Sequence, residues 1–443
     1  MAVPRVFIST DLRLSSEEKD DAQSLIHALL YQDKMNIVGI AGTASKWNHQ
    51  DGLVGDIDKI IDVYAKDYAK LEAKHPAFKS PAELKAVSWQ GATDTAPWAG
   101  WSSPTDSSKA IIAEAKKAAA AGEKLNVLTW GGGTDLAQAL HDDPSIAPTI
   151  RYFNISNQDA NAHNYIGKFK GKLDMWVDDM STYRGIYQSP ESSAIIKGWH
   201  QQHADGHGAL GDYFAQLSGD IFNSSGVKMG DSPTVLRFLS GDLNDPSKES
   251  WGGEFIKTGT NYWTDNPSPS VDLNRSGTNG AWTIYEDRAA WLNSFAERFD
   301  WLKGGGSTPT PTPTPVPSQP IPTPTPTPAP TDPATDTLTV KIAGTAYRGD
   351  PKFAIKVDGK VVDAETVVTA NYGSGWDTFT FTGNFDGAGT QKHKVEIDLL
   401  NDLRASGKGD RNLYVDEVTF NGVTQTQDVA ITSHIDKDWY FAI

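Results

Sequence analysis

The first 303 residues alternate between short apolar runs and stretches with helical spacing. Apolar runs lie at residues 5–10, 36–41 and 125–130. Apolar positions recur three and four residues apart at 21–31, and an Ala- and Lys-rich stretch at 109–121 predicts another helix. Strands that alternate with helices predict an α/β fold, a mostly parallel sheet flanked by helices. Ligands of such folds bind beyond the carboxyl ends of the strands.

The last part of the chain has a different hydrophobic period. Apolar residues occupy every second position at 337–342, 353–357, 377–381 and 394–399, and Gly and Asn separate these runs. This pattern is typical of half-buried strands joined by turns. We therefore expect an all-β sandwich after the α/β domain.

A segment of low complexity separates the two patterns. A glycine-rich stretch begins at Gly304, and alternating Thr and Pro follow to about residue 333. Proline fixes φ and lacks an amide donor, so the segment is excluded from helices and sheets. We expect an extended spacer of roughly 80 Å, at about 3.1 Å per residue. The predicted organisation is a domain at 1–303, a linker at 304–335 and a domain at 336–443.

The linker also bears on where the protein acts. Thr-Pro segments of this kind resemble those that join catalytic domains to carbohydrate-binding modules in secreted polysaccharide degraders, although a passive extracellular spacer has the same composition. The residues from Met1 to Arg5 do not have the pattern of a signal peptide. Either the protein is cytoplasmic or a signal peptide has been removed. The linker favours the second alternative, and we expect a secreted protein.

Composition excludes several classes of function. The formal net charge of −16 disfavours nucleic acid as a partner. The absence of Cys excludes a disulfide framework and thiol chemistry. No apolar run approaches the roughly 20 residues that span a bilayer, so we expect no membrane partner. The 14 Trp residues exceed common usage; we assign about half to a core and expect others to stack on sugar rings.

Three carboxylates lie close together near the start of the chain. Asp11 follows the first predicted strand, and Asp20 and Asp21 open the first predicted helix. Acids in the first turn of a helix are ordinarily favoured by the helix dipole alone. Asp11 at a strand end has no such explanation. A hard cation such as Ca²⁺, or a hydroxyl-rich ligand, would offset the repulsion among the three.

The first domain resembles a known superfamily over nearly its whole length and in order. The matching segments are residues 9–11 (STD), 18–25 (EKDDAQSL), 37–40 (IVGI), 128–140 (LTWGGGTDLAQAL), 230–233 (GDSP), 251–253 (WGG) and 295–301 (FAERFDW). These resemble the nucleoside hydrolase-like superfamily, and in particular a bacterial branch known as cellulose-binding proteins of unknown function. The resemblance implies an α/β fold with a site at the acid cluster.

The resemblance also implies roles for particular residues. Nucleoside hydrolases hold Ca²⁺ with residues that match Asp11, Asp21, the carbonyl of Thr134, and Asp231. One metal-bound Asp, which matches Asp11, is their general base, and the acid that matches Asp20 holds sugar hydroxyls.

Other positions match the branch, or depart from the nucleoside hydrolases. Candidates for substrate contact are Asn157, Asp159, Tyr183 and Arg184, although turn chemistry or a surface ion pair would explain them equally well. Ser9 stands where nucleoside hydrolases have their first Asp, and Gly230 stands where they have a His that assists departure of the base. Glu17 or Glu18 is a candidate substitute carboxylate.

The second domain resembles the calcium-dependent xylan-binding modules. The matching segments are residues 340–351, 357–360, 379–383, 400–402 and 410–416, of which the last (DRNLYVD) is the most specific. The resemblance implies a small β-sandwich in which Ca²⁺ meets the vicinal hydroxyls of a sugar. The implied metal ligands are Asp350, Asp402, Asp410 and Asn412, with Asn401 as a further oxygen donor.

Two aromatic residues of the second domain are candidates for stacking on a sugar face. They are Tyr372 and Trp376, in a Gly-rich stretch. The alternative reading of the loop acids is ordinary turn chemistry, in which Asp and Asn bond their own backbone.

Taken together, these features predict a secreted glycoside hydrolase that acts on plant cell-wall polysaccharide: cellulose, β-glucan or xylan. Its second domain would anchor it to glycan, with Ca²⁺ as cofactor there and as a candidate in the first domain. The alternatives are a polysaccharide-binding protein without catalysis and a secreted nucleoside hydrolase. The absence of the His at Gly230 disfavours the last of these.

Overall fold

The chain divides into two compact units, Met1–Gly304 and Gly305–Ile443. The structure, a computed structural model, describes residues 3–15, 19–49, 52–188, 196–219, 226–267, 279–303, 336–358, 360–383, 385, 393–405, 409–431 and 437–441. The predicted Thr-Pro linker and the candidate acids Glu17 and Glu18 lie outside these residues. Within them, no helix is long and apolar enough to cross a membrane.

The first unit is an α/β domain, as the hydrophobic pattern predicts. Its strands are β1 (Arg5–Thr10), β2 (Asn36–Gly42), β3 (Ser88–Gln90), β4 (Leu125–Thr129), β5 (Ile150–Ile155), β6 (Met175–Asp179), β7 (Phe255–Gly259) and β8 (Tyr262–Asp265). They form one sheet in the order β3-β2-β1-β4-β5-β6-β8-β7. Neighbouring strands run parallel, apart from β7, which is antiparallel to β8.

Helices connect these strands. They are α1 (Asp20–Leu30), α2 (Leu53–Tyr64), α3 (Tyr68–Lys74), α4 (Pro81–Ala86), α5 (Asp106–Ala120), α6 (Thr134–Asp142), α7 (Ala160–Ile166), α8 (Trp199–His203), α9 (Gly208–Gly219), α10 (Pro233–Leu236), α11 (Trp282–Tyr285) and α12 (Arg288–Asp300). Short 3₁₀ segments lie at Pro144–Thr149, Gly167–Phe169 and Thr182–Ile186.

The sheet is buried on both faces because successive side chains of each strand point to opposite sides. In β1, Val6 and Ile8 pack into the cluster that includes residues of α1, α9 and α12. Phe7 packs into the opposite cluster, with residues of α5, α6 and α7. Trp130, Trp176 and Trp291 are fully buried in these clusters, which bears out a core role for part of the Trp content.

Close backbone approach fixes the loops at the carboxyl edge of the sheet. The turn between β4 and α6 contains Gly132, and a Cβ added there would lie 2.1 Å from the carbonyl oxygen of Ala44. Ala44 precedes the loop that carries Ser45 and Asn48. Only glycine therefore allows the turn after β4 to pack against the segment after β2.

The second unit consists of antiparallel strands, which confirms the predicted sandwich. One sheet has the order β11 (Lys360–Val367), β10 (Lys352–Val357), β13 (His393–Leu399), β17 (Lys437–Phe441). The other has the order β12 (Asp377–Gly383), β9 (Asp336–Thr345), β15 (Gly409–Phe420), β14 (Leu403–Ala405), and β16 (Val423–Ile431) also pairs with β15. Alternate residues such as Leu338, Val340 and Ile342 of β9 are fully buried in one core.

We expect Gly132→Ala to lower the free energy of unfolding by about 1–3 kcal/mol, because the new methyl group must displace a backbone carbonyl. Denaturant unfolding of the full chain measures this. The control is Gly55→Ala in α2, where a Cβ meets nothing within 4 Å. That change should stabilise the helix by roughly 0.5–1 kcal/mol. Equal effects of the two substitutions would contradict the steric explanation.

Candidate functional site

A cavity of about 320 Å³ opens at the carboxyl edge of the parallel sheet in the first unit. Four of the predicted acids line it: Asp11, Asp20, Asp21 and Asp231. Four cationic side chains also line it: Arg13, Lys46, Arg184 and Lys228. The fold thus brings together acids that are separated by more than 200 positions in the sequence.

Asp11 is held by the loop that follows β2. Its carboxylate accepts hydrogen bonds from the hydroxyl of Ser45 and from Nδ2 of Asn48, the latter at 3.2 Å. Asn48 Nδ2 also donates to the backbone carbonyl of Asp11 at 3.0 Å. Burial raises the pKa of Asp11 to about 6, while the bonds from Ser45 and Asn48 oppose that rise. The carboxyl group is therefore fixed in orientation and titrates near neutrality.

Asp20 lies at the start of α1 beside a lysine. Burial, and next the charge of Asp11, raise the pKa of Asp20 to about 7. The ammonium nitrogen of Lys228 lies 3.3 Å from Oδ2 of Asp20. Burial lowers the pKa of Lys228 to about 8, against the opposing charges of Asp231 and Asp11. The two side chains form an ion pair when both are charged.

Asp21 and Asp231 complete the acid cluster. Asp21 accepts a hydrogen bond from the hydroxyl of Thr10, at the end of β1. Oδ2 of Asp231 is buried and has no hydrogen-bond partner. Burial raises the pKa of both carboxyls well above the ordinary range, and the neighbouring acids raise it further. Asp231 is thus the least compensated member of the cluster.

Two of the predicted substrate contacts also face the cavity. Tyr183 and Arg184 lie in the 3₁₀ segment Thr182–Ile186, whose start is fixed by a bond of 2.9 Å from the amide of Tyr183 to Oδ1 of Asp179. Both line the cavity. Nε of Arg184 donates to the hydroxyl of Tyr183 at 3.4 Å.

The structure places the other predicted residues of the first unit outside the cavity lining. Oδ1 of Asp159 caps α7 through the amide of Ala162, and Oδ2 accepts from the amide of Ala96 and the hydroxyl of Thr134. Thr134 is the first residue of α6, so its carbonyl points along that helix. The backbone carbonyl of Asn157 accepts from the ammonium of Lys46 at 2.8 Å.

Sequence reasoning missed several residues that line the cavity. Lys228 and Tyr187 stand beside Asp20, and Trp47 stands beside Asn48 with 69% of its surface exposed. Ser156, with a φ of 61°, adopts the left-handed conformation that is rare for a residue with a side chain. Its position directly after β5 was the available signal, because loops at carboxyl ends of parallel strands build the site.

In the second unit, Arg411 ties two loops to strand β15. Its guanidinium donates five hydrogen bonds to backbone carbonyls: two to Tyr347, and one each to Arg348, Gly349 and Asn401, at 2.7–3.1 Å. Asp350 and Asp402 are the residues next to these carbonyls. Arg411 itself lies between Asp410 and Asn412. The four predicted metal ligands are thereby brought to one end of the sandwich.

Alternate residues of β15 present oxygen atoms and an aromatic ring on one face. Oδ1 of Asp410 and Oδ1 of Asn412 are buried without hydrogen-bond partners. Tyr414 continues this alternation and stacks on Tyr372, with 3.7 Å between ring centroids. Sequence reasoning missed this residue. Trp376 meets the edge of Tyr372 at 5.7 Å. Two orphaned oxygens beside an aromatic surface fit a calcium ion that also contacts a sugar.

Residues 5–255 match the family described as "Cellulose-binding Sde182, nucleoside hydrolase-like domain". The chain belongs to this cellulose-binding Sde182 family. Residues 337–434 match the family described as "Ca-dependent carbohydrate-binding module xylan-binding". Both resemblances stated from the sequence are thereby confirmed. A comparison with curated proteins gives no match.

One solved structure supports the fold of this Sde182 family member. It is a nucleoside hydrolase-related hypothetical protein from Saccharophagus degradans that is associated with carbohydrate metabolism. It is 16% identical in sequence, and the TM-score is 0.53. The superposition covers 95% of this chain and 98% of that chain. A purine-preferring ribonucleoside hydrolase from Gardnerella vaginalis is 14% identical, with 68% and 99% covered and a TM-score of 0.35. The first supports the fold; the second similarity is too low to carry an argument.

The acid cluster of this Sde182 domain does not fit a resident Ca²⁺. Ser9 donates its hydroxyl to Thr43 at 3.1 Å and supplies no charge to the cavity. The carbonyl of Thr134 points along α6, and a lysine stands among the acids instead.

We expect Asp231→Asn to stabilise the protein in a pH-dependent way. The unfolded carboxyl releases its proton near the ordinary pKa of about 4, whereas the folded one holds its proton to much higher pH. Stability contributed by this group is therefore complete below about pH 4 and is lost as the pH rises through the folded value. The asparagine variant should have a thermal midpoint several degrees above wild type at about pH 8, and the difference should vanish towards about pH 4.

The control for this measurement is Asp106→Asn, which removes an exposed carboxyl in α5. It should change the midpoint little at either pH. A gain for Asp231→Asn that is equal at both pH values would contradict the explanation by a raised pKa.

Proposed function

We propose that the protein is a secreted glycoside hydrolase that acts on plant cell-wall polysaccharide (cellulose, β-glucan or xylan), and that its second unit anchors it to glycan. The observation that carries the catalytic part is the pair of buried carboxyls at one cavity, with pKa values raised to about 6 for Asp11 and about 7 for Asp20. Such a pair supplies both a protonated and an ionised carboxyl near neutral pH, which hydrolysis of a glycosidic bond requires.

In this proposal Asp11 is the general base. Ser45 and Asn48 fix its carboxylate at the end of the central strand β1, from where it takes a proton from the attacking water. Asp20, protonated in a substantial fraction of molecules near neutrality, donates a proton to the departing sugar oxygen. No step of this mechanism needs a metal ion, in keeping with the poor fit of the cavity to calcium.

Side chains around the two carboxyls supply contacts to a sugar chain. Trp47 exposes most of its ring at the cavity, a surface suited to stacking on a pyranose. Tyr183 and Arg184 also line the cavity, where their side chains can contact sugar hydroxyl groups. The family description, cellulose-binding, agrees with a glycan rather than a nucleoside in this position.

A second candidate is glycan binding without catalysis. The ion pair between Lys228 and Asp20 favours it, because a carboxylate neutralised by an ammonium holds sugar hydroxyls well but donates a proton poorly. The glycine at position 230 disfavours nucleoside hydrolysis as the function. A Cβ at that position would lie 2.7 Å from Oδ2 of Asp20, so the histidine of nucleoside hydrolases cannot enter without displacing this acid.

Calcium enters the proposal in the second unit. Asp350, Asp402, Asp410 and Asn412 would hold the ion, and Tyr372 and Trp376 would stack on the sugar beside it. When bound, the ion exchanges water for a vicinal diol. Arg411 positions the ligands, since it ties the loops of Asp350 and Asp402 to β15.

The catalytic proposal predicts release of reducing sugar from cellulose, β-glucan or xylan by the full chain. Asp11→Asn should reduce the rate by about 10²–10⁴-fold, because the base is lost while the shape of the cavity is kept. The matched control Asp106→Asn should retain the wild-type rate. Wild-type protein that releases no sugar from any of the three glycans, and no base from nucleosides, would leave binding without catalysis as the function.

The anchoring proposal predicts retarded migration of the full chain in gels that contain xylan. A calcium chelator should abolish the retardation, and added calcium should restore it. Asp410→Ala should migrate like the chelated wild type, whereas Asp363→Asn, in the other sheet of the sandwich, should remain retarded. Retardation that survives the chelator would contradict the calcium mechanism without bearing on catalysis.

A further inference from the structure

Lys228 occupies an unusual place among the acids of the first unit. Its side chain is 13% exposed, and its ammonium lies 3.3 Å from Asp20. Its charge also interacts with Asp231 and Asp11, which both act to raise its pKa. One buried cation therefore pairs with Asp20 and lies among the other carboxyls that line the cavity, a position that a metal ion could otherwise take.

The backbone around Lys228 is fixed by the helix that carries the acids. Oε1 of Gln23, a fully buried residue of α1, accepts from the amides of Lys228 at 2.9 Å and Met229 at 3.1 Å. Nε2 of Gln23 donates to the hydroxyl of Ser218 at 2.9 Å. Because α1 also begins with Asp20 and Asp21, one rigid element positions both the carboxyls and the lysine.

The local backbone is shaped to direct this side chain into the cavity. Met229 has a φ of 45°, in the left-handed region that costs free energy for a residue with a side chain. Gly230 follows, and a side chain there would collide with Asp20. This strained turn places Lys228 and Asp231 on the same cavity, three residues apart. Backbone conformations that cost free energy in this way are found where a functional site requires them.

We propose that the ammonium of Lys228 is the resident cation of this cavity and takes the place of a divalent metal, so that the first unit works without calcium and only the second unit requires it. The absence of a carboxylate at Ser9, whose hydroxyl donates to Thr43, agrees with a site adapted to a single charge. This inference is independent of whether the cavity is catalytic, because it concerns only which cation the cavity holds.

The test is the number of calcium ions bound per full chain, measured by equilibrium dialysis. Asp410→Ala should lose one calcium relative to wild type, and Asp231→Asn should lose none. Lys228→Met should gain one, because removal of the ammonium opens the carboxylate cluster to a divalent ion. Lys228→Met combined with Asp410→Ala should keep the gained ion.

Lys46→Met is the matched control. Lys46 also lines the cavity, but its ammonium donates to the carbonyl of Asn157 rather than to an acid, so its loss should add no calcium. Loss of one calcium in Asp231→Asn would overturn the proposal, and this outcome can be read even if Lys228→Met fails to fold. A folded Lys228→Met chain that gains no calcium would overturn it as well.

Discussion

Burial of four carboxyl groups in one cavity is unfavourable unless each is protonated, hydrogen-bonded or paired with a cation. The first unit satisfies this constraint differently at each position. Asp11 and Asp21 accept hydrogen bonds from side chains of nearby strands and loops, and Asp20 pairs with Lys228. Burial raises the pKa of Asp231 well above its ordinary range, which favours its protonated form. The close turn at Gly132, the strained Met229 and the absent side chain at Gly230 all serve this arrangement. The buried carboxyls of the cavity thus constrain the backbone conformation of the loops that surround it.

The sequence predicted the fold well because burial imposes periodicity. The runs at β1, β2 and β4 and the two-residue alternation of β9, β10 and β13 follow directly from strands with one or two buried faces. Asp11 could be assigned to the site for the same reason, since a residue that ends a parallel strand lies at the binding edge. Local hydrophobic pattern and strand polarity carry this information.

Lys228 could not be predicted in the same way. Its place depends on contacts with Gln23, some 200 positions earlier, and on a left-handed residue that no pattern marks. Thr134 illustrates the reverse: matched to a family position, it turned out to be the first residue of a helix, which directs its carbonyl along the helix axis. Tyr414 lies within the DRNLYVD motif at 410–416. Its role is visible only in the structure, where Tyr372 from a distant loop stacks on it.

In the second unit, five hydrogen bonds of Arg411 end on backbone carbonyls. Every residue type has such a carbonyl. These five hydrogen bonds therefore do not depend on which side chains stand at Tyr347, Arg348 and Asn401. Substitutions at Tyr347 and Arg348 would keep these contacts, whereas Asn401 also bonds Lys352 and Asp350 through its side chain. A scaffold of this kind lets related proteins diverge in the glycan they prefer through loop substitutions alone, without a new fold for each preference.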